Sequence, residues 1–178
     1  MLTEPDPVKY FIAVLSPLAL PCWDALLDKV TTHCGPVDFV TAPVRFLVSR
    51  YYEEEMGADL WRRFISLERL MSPGILADMK RWTMIAEEQF AAAGHRVVNL
   101  DPGYLDYNKM VLASTKFNGQ KIYLEKGIYA DLTLFYFKGR FDSFPWTFPD
   151  FRDGAYETEM RAMRERYCAQ RRGTPLVE

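Results

Sequence analysis

The sequence predicts an α+β fold: a β-α-β-β-α-β order of the ferredoxin-like kind, extended by a β-hairpin region and a C-terminal helix and packed as a two-layer sandwich. Three observations carry this expectation. Apolar runs of strand length alternate with stripes at helical spacing through the first 100 residues. Beyond residue 108 the pattern changes to short strands separated by Gly-containing turns. A chain of 178 residues is also long enough to bury roughly 70% of the surface its unfolded form exposes, so one domain over 1–178 needs no disulfide framework.

KYFIAVLS (9–16) is an apolar and aromatic run ended by Pro17, as in a buried strand. A helix follows, because Trp23, Leu26, Leu27, Val30 and Cys34 recur at helical spacing, Pro21 suits a first-turn position and Gly35-Pro36 is a stop signal. VDFVT (37–41) reads as a second strand and VRFLVS (44–49) as a third. In WRRFISLERL (61–70), Ile65 and Leu67 alternate with Ser66 and Glu68, which marks another strand. Ser72-Pro73 is an N-cap followed by proline, and Ile75, Met79, Trp82, Ala86 and Phe90 form the buried stripe of a long helix ending near Gly94. RVVNL (96–100) closes the first half as a strand.

Asn118-Gly119, between KMVLAST (109–115) and KIYLEK (121–126), predicts a tight hairpin with positive φ at Gly119. IYADLTLFYF (128–137) is a further strand, preceded by Lys126-Gly127 as a second tight turn or a bulge. SFPWTFPDF (143–151) is a proline and aromatic loop. Tyr156, Met160, Met163 and Tyr167 then form the stripe of a terminal helix spanning about 153–172.

The charge is nearly balanced, at -2, so nucleic acid is not an expected partner. The arginine-rich tail, RAMRERYCAQRR (161–172), reads as a solvated helix face with Glu157, Glu159 and Glu165 offsetting it. Three cysteines without paired spacing fit reduced thiols. The N-terminus has acids where a signal peptide needs lysines, and no stretch approaches the roughly 18 apolar residues of a membrane helix. A cytoplasmic protein without a membrane partner is expected; a homo-oligomer is left open.

No phosphate loop, GxGxxG, GxSxG or CxxC is present. His33 and His95 belong to no metal-ligand spacing and read as helix-terminal polar residues, so no metal is assigned and the cofactor is unknown. In YYEEEMGADLWRR (51–63), Glu53, Glu54, Glu55 and Asp59 read as a solvated acidic turn paired with Arg62 and Arg63; a divalent-cation site would require several of them to converge.

YYEEEMG (51–57), RRFISLERL (62–70), VNLDPGYL (98–105), KMVLASTK (109–116), IYLEKGIYADLTL (122–134) and PWTFPDF (145–151) occur in an order that resembles the domain of unknown function 4416 family over about residues 8–155. The resemblance implies a small cytoplasmic prokaryotic protein without an established activity. Some relatives carry a GTP-binding label. The residues argue against a GTPase of the usual kind, since NKMV (108–111) has valine where Asn-Lys-x-Asp needs the aspartate, and DPGY (101–104) misses a DxxG spacing by one residue.

Asp101-Pro102-Gly103-Tyr104 fits a type II turn, with proline second and glycine third. If Asn118-Gly119 closes a two-residue hairpin, Val111 faces Lys126, and Lys109, Val111, Ala113, Ile122, Leu124 and Lys126 share one face. Lys109 and Lys126 then repel each other unless an anion sits between them, either Asp101 or Glu125 or a ligand. The ligand-binding residues expected are therefore Asp101, Tyr104, Lys109 and Lys126. The expected function is binding of a small anionic ligand, a phosphorylated metabolite or a nucleotide. Two alternatives stay open: an enzyme with Asp101 or one of Glu53 to Glu55 as general base and the lysines stabilising charge, or a protein-interaction domain using Phe144, Trp146, Phe148 and Phe151 of the aromatic loop at 144–151.

Overall fold

The computed structural model describes residues 1–48, 52–91 and 94–173, with the side chains of Glu53 and Glu54 also outside the described residues. It is a mixed α+β structure around one large, open antiparallel sheet. The strands are β1 (Val8–Pro17), β2 (Val37–Val40), β3 (Val44–Arg45), β4 (Leu60–Met71), β5 (Asn99–Leu105), β6 (Lys109–Ser114), β7 (Ile122–Glu125), β8 (Ile128–Phe137) and β9 (Arg140–Ser143). Their order is β2-β4-β1-β5-β6-β8-β7, with β3 added to β4 and β9 to β8. The helices are α1 (Trp23–Cys34), α2 (Glu53–Met56), α3 (Leu76–Phe90), α4 (Pro149–Arg152) and α5 (Glu157–Arg172), with a 3-10 turn at Pro73–Ile75 leading into α3. Ser72 Oγ accepts from Gly74 N–H at 3.2 Å, as expected of an N-cap, although it caps this turn and α3 begins only at Leu76.

Strand β1 is apolar without alternation because it is covered on both faces. Tyr10, Ile12 and Val14 pack against Leu26 and Val30 of α1 and Leu76 and Ala86 of α3. Phe11 and Ala13 point the other way, into a cluster with Met160, Met163 and Tyr167 of α5. The sheet thus has helices on both sides, where a two-layer sandwich was expected. The physical reason lies in the terminal helix, whose stripe Tyr156, Met160, Met163, Tyr167 is at most 2% exposed and needed a second apolar sheet face. Burying those four side chains corresponds to roughly 6–12 kcal/mol of transfer free energy before chain entropy is subtracted.

Arg164, Arg166 and Arg171 of α5 dock the helix, whereas Arg161 and Arg172 stay on an exposed face, Arg161 paired with Glu157. The Arg164 guanidinium lies 3.4 Å from the Tyr136 ring centroid, and Arg166 lies 4.0 Å from that of Phe39. Arg171 pairs with Asp6 at 2.7 Å. From β1, the buried Lys9 ties the helix down by donating to Gln170 Oε1 at 2.9 Å while pairing with Asp38 of β2.

The hairpin region is laid out differently from the expectation. Strand β8 pairs with β6 on one side, as in Val111↔Leu132 and Ala113↔Ala130, and with β7 on the other, as in Ile122↔Ala130. Strands β6 and β7 are both antiparallel to β8 and so run parallel to each other, which no two-residue hairpin can connect. Asn118 instead closes a local turn with Lys121 N–H at 2.9 Å, and Gly119 is not among the glycines with positive φ. The tight turn is Lys126-Gly127, at φ 50° and 78°, the pair of left-handed residues a type I′ hairpin requires. Lys126 is therefore a turn residue, and the shared face with Lys109 does not form. A similar turn at Lys138-Gly139, φ 48° and 88°, produces β9, a strand beyond the elements expected from the sequence.

Candidate functional site: a fork in the sheet

Asp101-Pro102-Gly103-Tyr104 is the middle of β5, not a type II turn. Strands β5 and β6 pair only at Gly103↔Leu112, Tyr104↔Val111 and Leu105↔Met110. Beyond Gly103, β5 continues beside β1 as far as Asn99, whereas β6 continues beside β8 as far as Ser114. The two strands fork, and the residues at the branch explain why. A Cβ on Gly103 would lie 2.6 Å from the Val111 carbonyl oxygen and 2.8 Å from the Phe11 ring, so only glycine allows this three-strand approach. Pro102 has no N–H to donate, and strand alternation puts its nitrogen on the edge that faces away from β1, where the ladder to β6 ends.

Helix α3 takes over that open edge. Glu87 Oε1 accepts from Leu100 N–H at 2.6 Å, and Lys80 Nζ donates to the Leu100 carbonyl at 3.0 Å and to Asp101 Oδ1 at 2.9 Å. These side chains replace the missing strand partner, as the backbone's obligatory hydrogen bonding demands. On the opposite sheet face, the loop before α4 is held by Trp146 Nε1, donating to the Leu132 carbonyl at 2.9 Å, and by Thr147 Oγ1, donating to the Thr133 carbonyl at 2.6 Å.

Between these walls lies a cleft of about 490 Å³. Arg62 of β4 lies in it with its side chain 6% exposed; its guanidinium is 3.7 Å from Asp101 and 4.0 Å from Asp150. Asp150 accepts from Tyr156 OH at 3.1 Å. Arg96 contacts Glu55 at 2.6 Å, Asn99 at 3.0 Å and Glu87 at 3.3 Å. Lys121 donates to Ser114 Oγ at 2.8 Å and pairs with Asp131 at 3.3 Å, both charged side chains being nearly buried. Burial favours the neutral form of Asp101, yet the adjacent Lys80 and Arg62 outweigh it and hold the carboxyl below its usual range. For Glu87 burial wins and the pKa is raised, despite Lys80 and the Leu100 amide. Arg62 stays charged, because Tyr156, Asp101 and Asp150 overcome its desolvation.

The cleft is left short of one kind of partner. Among the described residues, the buried side-chain polar atoms without a hydrogen-bond partner that belong to cleft residues are Arg62 Nε and Arg96 Nε. Both are guanidinium donors.

Of the four residues singled out in the sequence, only Asp101 enters this site. Tyr104 points to the other face of β5, with its ring centroid 5.7 Å from that of Tyr10. Lys109 is paired with Asp106; it and Tyr104 border a separate groove of about 220 Å³. Lys126, half exposed, lies 3.1 Å from Glu125 and 3.6 Å from Asp78. Among the described side chains of the acidic segment, Glu55 pairs with Arg96 and Asp59 with Arg45 instead of with Arg62 or Arg63, and Arg63 donates to the Leu18 carbonyl. No group of metal-ligating side chains occurs among the described residues. In the aromatic loop Phe151 is core, whereas Trp146 and Phe148 are exposed.

The residues missed left traces in the sequence. Lys80, Met84 and Glu87 recur at helical spacing, next to the apolar stripe of α3. Arg62 sits in β4 between the inward-facing Leu60 and Phe64, and Asp131 is the one charge inside IYADLTLFYF.

Fold and site together define an α+β protein with a charged cleft opened within its own sheet. The chain belongs to the family described as Domain of unknown function (DUF4416), whose model matches residues 6–167 and so takes in much of α5 as well as the motifs read from the sequence. Comparison with curated proteins and with solved structures gives no match.

Proposed function

We propose that this protein binds a small anionic ligand, a phosphorylated metabolite or a nucleotide, in the fork between β5 and β6. The observation that carries this reading is that Arg62 and Arg96, both lining the cleft and both ion-paired through their terminal nitrogens, each keep a buried Nε–H donor without a hydrogen-bond partner. Buried donors without acceptors are costly, and an anion supplies acceptors in the geometry a guanidinium favours. The cleft volume is that of an ordinary small-molecule site. An extended peptide is disfavoured, because Glu87 and Lys80 already occupy the open edge of β5. The β2-β4-β1-β5 half with α1 and α3 is read as a ferredoxin-like unit, and the free cysteines agree with a reducing, cytoplasmic setting.

A second reading, catalysis in the same cleft, is favoured by Glu87, whose raised pKa suits a general base better than the depressed Asp101. Binding is tested first. In a panel of phosphorylated metabolites and nucleotides, at least one compound at about 100 times its Kd should raise the melting temperature by roughly 5–10 °C. Arg96→Gln and Arg62→Gln should abolish the rise, and added salt should weaken it. A panel with no stabilising anion, or a shift unchanged in both variants, would refute the proposal.

A further inference from the structure

The charged cleft also carries exposed apolar side chains. Met84 of α3 is 39% exposed and Phe148, just ahead of α4, is 57% exposed, and both line the cleft. They come from opposite sheet faces, since α3 packs on the face of Tyr10 and Ile12, and α4 on the face of Phe11. The cleft therefore has an exposed apolar side chain on each helical wall. Phe46, half-buried and also lining the cleft, holds its ring 5.5 Å from the Arg62 guanidinium and meets Tyr52 edge-on at 6.2 Å. Large apolar side chains exposed around a concavity mark a ligand surface more strongly than the same residues scattered over a convex one.

Resting on the anion-site reading above, we infer that the ligand is a phosphate ester carrying a flat aromatic body: the phosphate on Arg62 and Arg96, the ring between Met84 and Phe148. A ring suits these walls because a thioether and a phenyl side chain both pack favourably against an aromatic face. The Phe46 ring, 5.5 Å from the Arg62 guanidinium, adds a further aromatic surface beside the charged group. A purely polar phosphate ester would leave Met84 and Phe148 in water and gain nothing from them.

Titration calorimetry with four probes tests this: inorganic phosphate, glycerol 3-phosphate, phenyl phosphate and benzoate. Phenyl phosphate should bind at least about tenfold more tightly than inorganic phosphate or glycerol 3-phosphate, and more tightly than benzoate, which has the ring without the phosphate. Phe148→Ala and Met84→Ala, at exposed positions that threaten folding little, should each remove most of that advantage and change inorganic phosphate affinity by less than about twofold. Equal affinity for phenyl phosphate and glycerol 3-phosphate overturns the aromatic inference and leaves the anion site standing. So does an equal loss for every probe in Phe148→Ala. Benzoate matching phenyl phosphate overturns the phosphate assignment. Absence of binding by all four overturns the inference together with the anion site.

Discussion

Lys80→Met keeps the side chain's apolar stem and removes the ammonium that Leu100 and Asp101 share. In the wild type, Nζ lies 3.0 Å from the Leu100 carbonyl and 2.9 Å from Asp101 Oδ1, with the side chain 7% exposed. The substitution leaves the carbonyl without its donor, which costs about 1–3 kcal/mol for a buried group. Asp101 loses its nearest cation but keeps Asn99 at 2.7 Å and Arg62 at 3.7 Å, and at 27% exposure it recovers some hydration. A total of about 2–4 kcal/mol follows, short of the full penalty for orphaning a buried charge. For a chain of this length that is a fall in Tm of about 6–12 °C. Urea unfolding followed by tryptophan fluorescence measures it, and a cycle with Asp101→Asn should show coupling of at least about 1 kcal/mol. A loss below about 0.5 kcal/mol, or additive single substitutions, would refute the claim that α3 closes the open edge of β5.

Gly103→Ala drives a methyl into the Val111 carbonyl and the Phe11 ring, so the urea midpoint should drop by the equivalent of at least about 2 kcal/mol; a neutral effect would mean that the branch point is looser than described. Gly127→Val forces a β-branched residue to φ 78° and should cost clearly more than Gly119→Val, where no left-handed backbone is required; the reverse ranking would restore the Asn-Gly hairpin. Because the folded pKa of Asp101 is depressed, its contribution is fully present above about pH 4, the value for an unfolded aspartate, and is lost as pH falls through the folded value. Asp101→Asn should therefore flatten the acid side of the stability profile, and an unchanged acid slope would contradict the Lys80–Asp101–Arg62 cluster.

The elements that sequence reading located well are those with one dominant signal. The run KYFIAVLS is too apolar for anything but a strand covered twice, and Tyr156, Met160, Met163, Tyr167 can only be one helix face. The failures share a cause: a local motif was read without its neighbours. Asn118-Gly119 is compatible with a hairpin, but the partner of β6 is β8, a ten-residue strand rich in aromatic and β-branched residues that pairs along both edges. Pro102-Gly103 reads locally as a type II turn, whereas in the structure the glycine is required by close strand approach and not by positive φ. Of the four residues expected to bind ligand, Asp101 lines the cleft, because it sits beside that branch. Its partners Arg62, Lys80, Arg96 and Lys121 come from distant segments, and only the sheet order brings them together.

The anion site is tested most directly by following the arginine Nε–Hε resonances by NMR while inorganic phosphate or phenyl phosphate is titrated in. The Nε–Hε signals of Arg62 and Arg96 should move together, saturate with one Kd and stop exchanging rapidly with solvent, while that of the exposed Arg161, paired with Glu157 on α5, stays in place. If Arg62 and Arg96 remain unmoved, or shift no more than Arg161 and without saturation, the fork between β5 and β6 is not an anion site.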